Sequence, residues 1–405
     1  MTALGIVAEY NPLHNGHRLH LQAARMAASP CGAPCIVVLS SNFTQRGEPA
    51  LVDKWTRARM ALSCGADLAV ELPFPFACAA APDFSAGAVD LLARSGLATH
   101  LSFGMEDPGY DVAPILDILT REPPAFGQRL REELGRGLSW PRAMARALDD
   151  LLPGSAAFAS RPNNLLALSY LLRIHKKGYP LSPLPVQRRG DGHEGKELGP
   201  LASAGALREA LNAETSLGDD GPLAAAMPAA SLALLREAQD DGRLCLPCRE
   251  EGLWPMLQAL FLRSTPGELR RFDGVDEGIE GRLLREWRDA SGLEDFIGRC
   301  ASPRYTRSRL RRLAVRLLVG VDRWTAGALR RVGPPYVRVL GFSERGRALL
   351  RGRQGNLPFI TRLAAAGDPL GRIVAGMEFR ASALYELLLP RPDLRREGRQ
   401  RPERG

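Results

Sequence analysis

No run in this 405-residue chain approaches the roughly 20 consecutive apolar residues that a membrane-spanning helix needs, so no helical span is expected. The first residues lead straight into an apolar segment without a basic stretch and cleavage site, and a cytoplasmic location is expected. Cysteine is sparse. Its seven positions, Cys31, Cys35, Cys64, Cys78, Cys245, Cys248 and Cys300, are odd in number and scattered, which speaks against the disulfide framework of a secreted protein. Cys245-Leu-Pro-Cys248 has metal or redox spacing, but no second pair or histidine completes four zinc ligands, so it reads as structural and no metal site is expected. Lysine is nearly missing. The excess of 54 basic over 45 acidic residues, a net charge of +9, is therefore almost all arginine and suggests a polyanionic partner.

Histidine is scarce as well, yet three of the six, His14, His17 and His20, fall in one turn. They follow the apolar stretch 3–8 in Gly5-Ile-Val-Ala-Glu-Tyr-Asn-Pro-Leu-His-Asn-Gly-His17. Asn11, Pro12, Asn15 and Gly16 break the strand, and Leu19, Ala23, Met26 and Ala27 then recur at helical spacing. The imidazoles thus sit where a parallel strand hands over to a helix. In an open α/β sheet that place is the crevice at the strand carboxyl ends, and the unpaired N–H groups of a helix N-terminus attract phosphate. A His-x-x-His pair also suits a metal, although no Cys or acidic residue follows at ligand spacing, or a solvated helix start. In its strand-turn-helix setting it resembles the nucleotide-binding signature of the adenylyl/cytidylyltransferase superfamily.

Strand candidates at 3–8, 36–39, 68–72 and 100–103 alternate with helical stretches at 16–28, 53–64 and 83–92, the rhythm of an α/β, Rossmann-like, doubly wound parallel sheet. A last strand is expected at 181–187, before the glycine-rich loop Arg188-Arg-Gly-Asp-Gly192. The catalytic domain is placed at 1–215, and Gly218-Asp-Asp-Gly-Pro222 reads as a linker. A mainly helical, basic region is expected at 223–389, with one possible late strand at 336–340. The tail 390–405, rich in Pro, Arg and Glu and poor in apolar residues, reads as disordered. Within the helical region Arg304, Arg307, Arg309, Arg311, Arg312 and Arg316 crowd one segment whose Leu310, Leu313, Leu317 and Leu318 keep an apolar face. That stripe is either a nucleic-acid surface or a solvated face.

Several collinear blocks resemble one family, the bacterial tRNA(Met) cytidine acetate ligases. Besides the first turn they are Ser41-Asn-Phe-Thr-Gln-Arg-Gly-Glu-Pro-Ala50, Asp53-Lys-Trp-Thr-Arg57, Gly65-Ala-Asp-Leu-Ala-Val-Glu-Leu-Pro-Phe74, Phe103-Gly-Met-Glu106, Pro162-Asn163, Gln187-Arg188 and Tyr336-Val-Arg-Val-Leu-Gly-Phe342. The resemblance implies an ATP-binding segment at Val7, Ala8, Glu9, Tyr10, Asn11, Pro12, Leu13, His14, Asn15, Gly16, His17, Arg18, Leu19 and His20, with further contacts at Gly104, Asn163 and Arg188. Alone, the last three would read as a turn glycine, a helix N-cap and a surface arginine. Three blocks depart from the pattern. Met105 stands where the family carries a hydroxyl, Gly192-His193-Glu194 replaces Tyr-His-Asp, and Ser203-Ala-Gly-Ala-Leu-Arg208 lacks a threonine.

The implied activity adenylates acetate with ATP, aided by Mg²⁺, and transfers the acetyl group to N4 of the wobble cytidine of elongator tRNA(Met). His14 and His17 are the expected catalytic residues. Lys54, Arg57 and the arginine-rich segment are the expected tRNA contacts. A small-molecule adenylyl- or cytidylyltransferase would share the histidine turn but leave the helical half unexplained. A tRNA-binding protein without catalysis would fit the charge but not the intact histidines and Arg188.

Overall fold

Apolar runs and amphipathic helices wind into one eight-stranded sheet. Its strands are β1 (Leu4–Ala8), β2 (Cys35–Ser40), β3 (Leu68–Leu72), β4 (His100–Met105), β5 (Ser182–Gln187), β6 (Val337–Phe342), β7 (Phe359–Ile360) and β8 (Glu403–Arg404). The computed structural model describes residues 2–188, 199–213, 218, 221–352 and 354–405. Of the expected glycine loop only Arg188 lies among them; Arg189 to Gly192, His193 and Glu194 fall outside the described residues, as do Asp219 and Asp220 of the expected linker.

The strand order is β5-β4-β1-β2-β3-β6-β7, with β8 beside β6. β1 to β5 are parallel, so from β1 the chain builds outward through β2 and β3 on one side and through β4 and β5 on the other. The reversal falls between β1 and β4, where a doubly wound sheet opens its ligand crevice. β2, Cys-Ile-Val-Val-Leu-Ser, is buried throughout because helices cover both faces, which is why it is continuously apolar. Val38, Val70 and Leu92 belong to the core on one face, and Val37, Leu39, Trp55 and Met60 to that on the other. Helices α1 (Asn15–Ala28) and α2 (Lys54–Ser63) follow β1 and β2, and Asp53 caps α2 by accepting from Thr56 N at 2.8 Å.

Between β5 and β6 the described residues form no named strand, as the sequence suggests. The helical region does not stand apart, however. Helix Ala229–Asp240 packs on α2, and β6 joins the sheet antiparallel to β3. The tail corrects the reading of its composition. It returns to pair β8 with β6 and buries Glu397, whose carboxylate meets Lys54 Nζ at 3.0 Å and also pairs with Arg338. Polar residues are ordered here because buried charges elsewhere in the chain need them. Lys54 further pairs with Glu71 at 2.5 Å and Glu378 at 3.0 Å, and Arg338 with Glu71 at 3.0 Å, so five buried charges knit α2, β3, β6, helix Pro369–Glu386 and the tail. Among the described residues no helix is long and apolar enough to cross a membrane.

Candidate nucleotide site

β1 delivers the histidine turn to the switch point. Tyr10 takes a φ of 46° and the Asn11–Pro12 bond is cis, which turns the chain sharply from strand to helix. His14 is the N-cap of α1: its Nδ1 accepts from Gly16 N at 3.1 Å, while His17 Nδ1 accepts from His14 N at 3.4 Å. The two rings therefore form a capping box between themselves, with centroids 3.7 Å apart. A side chain at Gly16 would place its Cβ 2.9 Å from His14 Cε1, so the bare backbone is what seats the His14 ring. With both Nδ1 atoms accepting, each neutral ring carries its proton on Nε2 and keeps one donor. His20 Nε2 lies 2.9 Å from Ser102 Oγ on β4.

The side chains from β4 and β5 assemble opposite. Arg188 N donates to Met105 O at 3.0 Å, and its Nη1 donates to Asn163 Oδ1 at 3.0 Å. Asn163 Nδ2 donates to Glu106 Oε1 at 2.6 Å, and Asn164 N to Glu106 Oε2 at 2.7 Å. Glu106 thus caps helix Pro162–Lys177, where the sequence suggests an Asn cap, and fixes the amide that orients Arg188. A Cβ on Gly104 would come within 3.1 Å of Arg188 Cγ. Burial, then the Arg188 charge, lowers His14 and His20 to about 4; burial, then His14 and Arg188, holds His17 well below the usual imidazole range. The permanent charge here is the Arg188 guanidinium, and the histidines are held neutral, with N–H groups that can donate.

Not every expected residue faces this crevice. Tyr10 and Leu13 are core, Arg18 and Leu19 are exposed on α1, and Asn15 Nδ2 turns to Pro200 O (3.1 Å) and Ala225 O (2.8 Å). Met105 points into the apolar core beside Phe103, on the opposite face of β4 from Ser102 and Gly104, so its thioether does not replace a hydroxyl at the nucleotide. Ser203 Oγ caps its helix by accepting from Ala206 N at 3.2 Å, and Arg208 Nη1 donates to Asn11 O at 2.8 Å, bracing the histidine turn. Ser102 carries no sequence signal of its own, and only the sheet register brings it here; Glu106 closes the Phe103-Gly-Met-Glu106 block, but nothing in the sequence marks it as the cap of a distant helix.

The expected RNA contacts need correction. Lys54 lies in the buried charge cluster, and Arg57 is fully buried, donating to Glu9 O at 2.8 Å, Ser40 Oγ at 2.9 Å and Ser41 O at 2.5 Å. The arginine segment, helix Arg307–Val319, turns most of its charges inward. Arg316 is buried against Asp273 at 2.6 Å, Arg311 meets Glu250 at 3.1 Å, and Arg312 Nη1 donates to Gln45 O at 3.2 Å. The stripe is mainly an internal seam.

A profile describing the HIGH Nucleotidyl Transferase family matches residues 1–400. The chain is 34% identical over 412 residues to a tRNA(Met) cytidine acetate ligase of Acetivibrio thermocellus, covering 99% of this chain and 98% of that protein. It is 35% identical over 414 residues to the ligase of the same name from Syntrophomonas wolfei, covering 98% of each. This chain belongs to the tRNA(Met) cytidine acetate ligase family. Its fold agrees: a crystal structure of Thermotoga maritima TmcAL bound with alpha-thio ATP superposes with a TM-score of 0.90 at 29% identity over all of both chains. The unliganded form I of that protein gives 0.91 at 28% identity, over 100% of this chain and 99% of that one. In this chain the turn reads His14-Asn-Gly-His17, and its second residue, Asn15, ties α1 to the helical region.

Proposed function

We propose that the chain adenylates acetate with ATP and passes the acetyl group to N4 of the wobble cytidine of elongator tRNA(Met). The observation that carries this reading is the convergence of His14, His17 and Arg188 on the first turn of α1 at the switch point, in a chain that aligns end to end with ligases of that name. Acetate oxygen attacks the α-phosphorus, the bond to the bridging oxygen breaks, and pyrophosphate leaves. The Nε2 donors of His14 and His17, the Arg188 guanidinium and the α1 N–H groups meet the charge that develops on the phosphoryl oxygens. Gly104 and Asn163 border the same crevice and suit the nucleoside. The cytidine amine then attacks the acetyl carbon, AMP departs with the bonding electron pair, and the amine loses a proton. Mg²⁺, if it accompanies the triphosphate, would be held mainly by the phosphate oxygens and would shield the pyrophosphate charge.

Exchange of labelled pyrophosphate into ATP tests the first step. It should require acetate and no RNA. Exchange that needs a phosphorylated small molecule instead of acetate would overturn the reading, and no exchange at all would leave an RNA-binding protein without this chemistry.

A further inference from the structure

We infer that Arg46 is a contact for a backbone phosphate of the polynucleotide acceptor, an inference that rests on the proposed transfer to RNA. Arg46 is exposed at the tip of the loop after β2, and no hydrogen bond or ion pair engages its side chain among the described residues. The loop around it is held on both flanks. On one flank Gln45 N donates to Glu9 Oε1 at 2.6 Å, and Arg208 spans from Asn11 O at 2.8 Å to the Glu48 carboxylate at 3.5 Å, so the loop is braced against the histidine turn. On the other, Gly47, at φ +84°, lies so close to helix Arg307–Val319 that a Cβ would sit 2.4 Å from Arg312 N, and Arg312 holds Gln45 O. Within the loop Thr44 N donates to Glu48 O and Gly47 N to Thr44 O, both at 2.9 Å.

Such a loop holds the Arg46 backbone in a fixed place, so binding has to order only the side chain. The acids nearby are already matched, Glu48 by Arg208 and Glu250 by Arg311, so the Arg46 charge is uncompensated. The position also fits the reaction. On the proposed mechanism Arg188 meets the phosphates from the β4 and β5 side, and the loop after β2 stands across β1 from it, on the side left for the acceptor. An exposed guanidinium at that entrance suits a phosphate of a large substrate, which it can grip with two parallel hydrogen bonds.

The test compares Arg46→Ala, Arg46→Glu and Arg46→Lys in two assays on the full chain. Filter binding of tRNA(Met) against salt should show Arg46→Ala weaker by about three- to tenfold at moderate salt, with the log–log salt slope flatter by about 0.7 to 0.9. Arg46→Glu should bind more weakly still, and Arg46→Lys should recover most of the slope. Acetate-dependent pyrophosphate exchange without RNA should keep its rate and its acetate KM in all three. Unchanged tRNA affinity and slope in the Ala and Glu variants would overturn the inference. So would a raised KM for acetate or ATP in exchange, which would give Arg46 to the small substrates. Wild-type protein that lacks acetate-dependent exchange would overturn the proposed reaction instead, and the binding curves would still decide Arg46.

Discussion

On the proposed mechanism the histidines of the first turn act through their donors and not through their charge, and this sets how they should respond to substitution and to pH. His17→Ala is expected to slow adenylate formation by about 10²-fold or more while ATP binding weakens less, since its donor counts most as phosphoryl charge develops. His14→Ala should do likewise and also loosen α1, whose Gly16 N–H it satisfies. Equal exchange rates in both variants and wild type would remove them from the chemistry. His14 and His20 lie at about 4 in the fold against an ordinary 6.5. The unfolded chain therefore binds more protons between those values, and the stability tied to the neutral rings is complete above pH 6.5 and lost as pH falls toward 4. Urea unfolding at pH 7 and pH 5 should show a smaller acid loss in His20→Gln than in wild type. The motif was legible because its residues are contiguous. Gly104, Asn163 and Arg188 were legible only through family resemblance, because each alone looks like a turn, a cap or a surface charge.

Among elements, helix Arg307–Val319 shows best where sequence reading stops. Its apolar Leu310, Leu313 and Leu317 are buried as the spacing indicates. What lies opposite the stripe could not be read, because Asp273, Glu250, Glu294 and the Gln45 carbonyl are scattered through the chain and meet only in the fold. The two ends of the stripe should therefore behave differently. Arg316→Ala strands part of a buried network reaching Asp273, Pro75 O and Cys78 O, and should cost about 3 kcal/mol or more of unfolding free energy. Arg307→Ala, in an exposed pair with Glu294, should cost under about 1 kcal/mol. Denaturant melts of both single variants check this, and equal costs would contradict the seam.

At the scale of the whole molecule, the parallel half of the sheet follows from its apolar rhythm, whereas β6, β8 and the tail depend on distant charge partners that no local pattern reveals. Lys54 and Arg338 face three carboxylates, Glu71, Glu378 and Glu397, and burial with the neighbouring Glu378 charge pushes Glu71 up to about 8. An acid raised in the fold binds more protons folded than unfolded. Its contribution is complete below about pH 4.5 and fades as pH rises to about 8. Glu71→Gln should abolish that alkaline decline, whatever its offset, when unfolding is measured from pH 6 to pH 9; an unaltered slope would place the proton elsewhere. The same cluster bears on recombination between relatives. Lys54 and Glu71 come early in the chain, Arg338, Glu378 and Glu397 late, so a single crossover between Glu71 and Arg338 would join halves inherited from different parents across this buried junction. Chimeras should survive there only when both parents carry matching charges at all five positions.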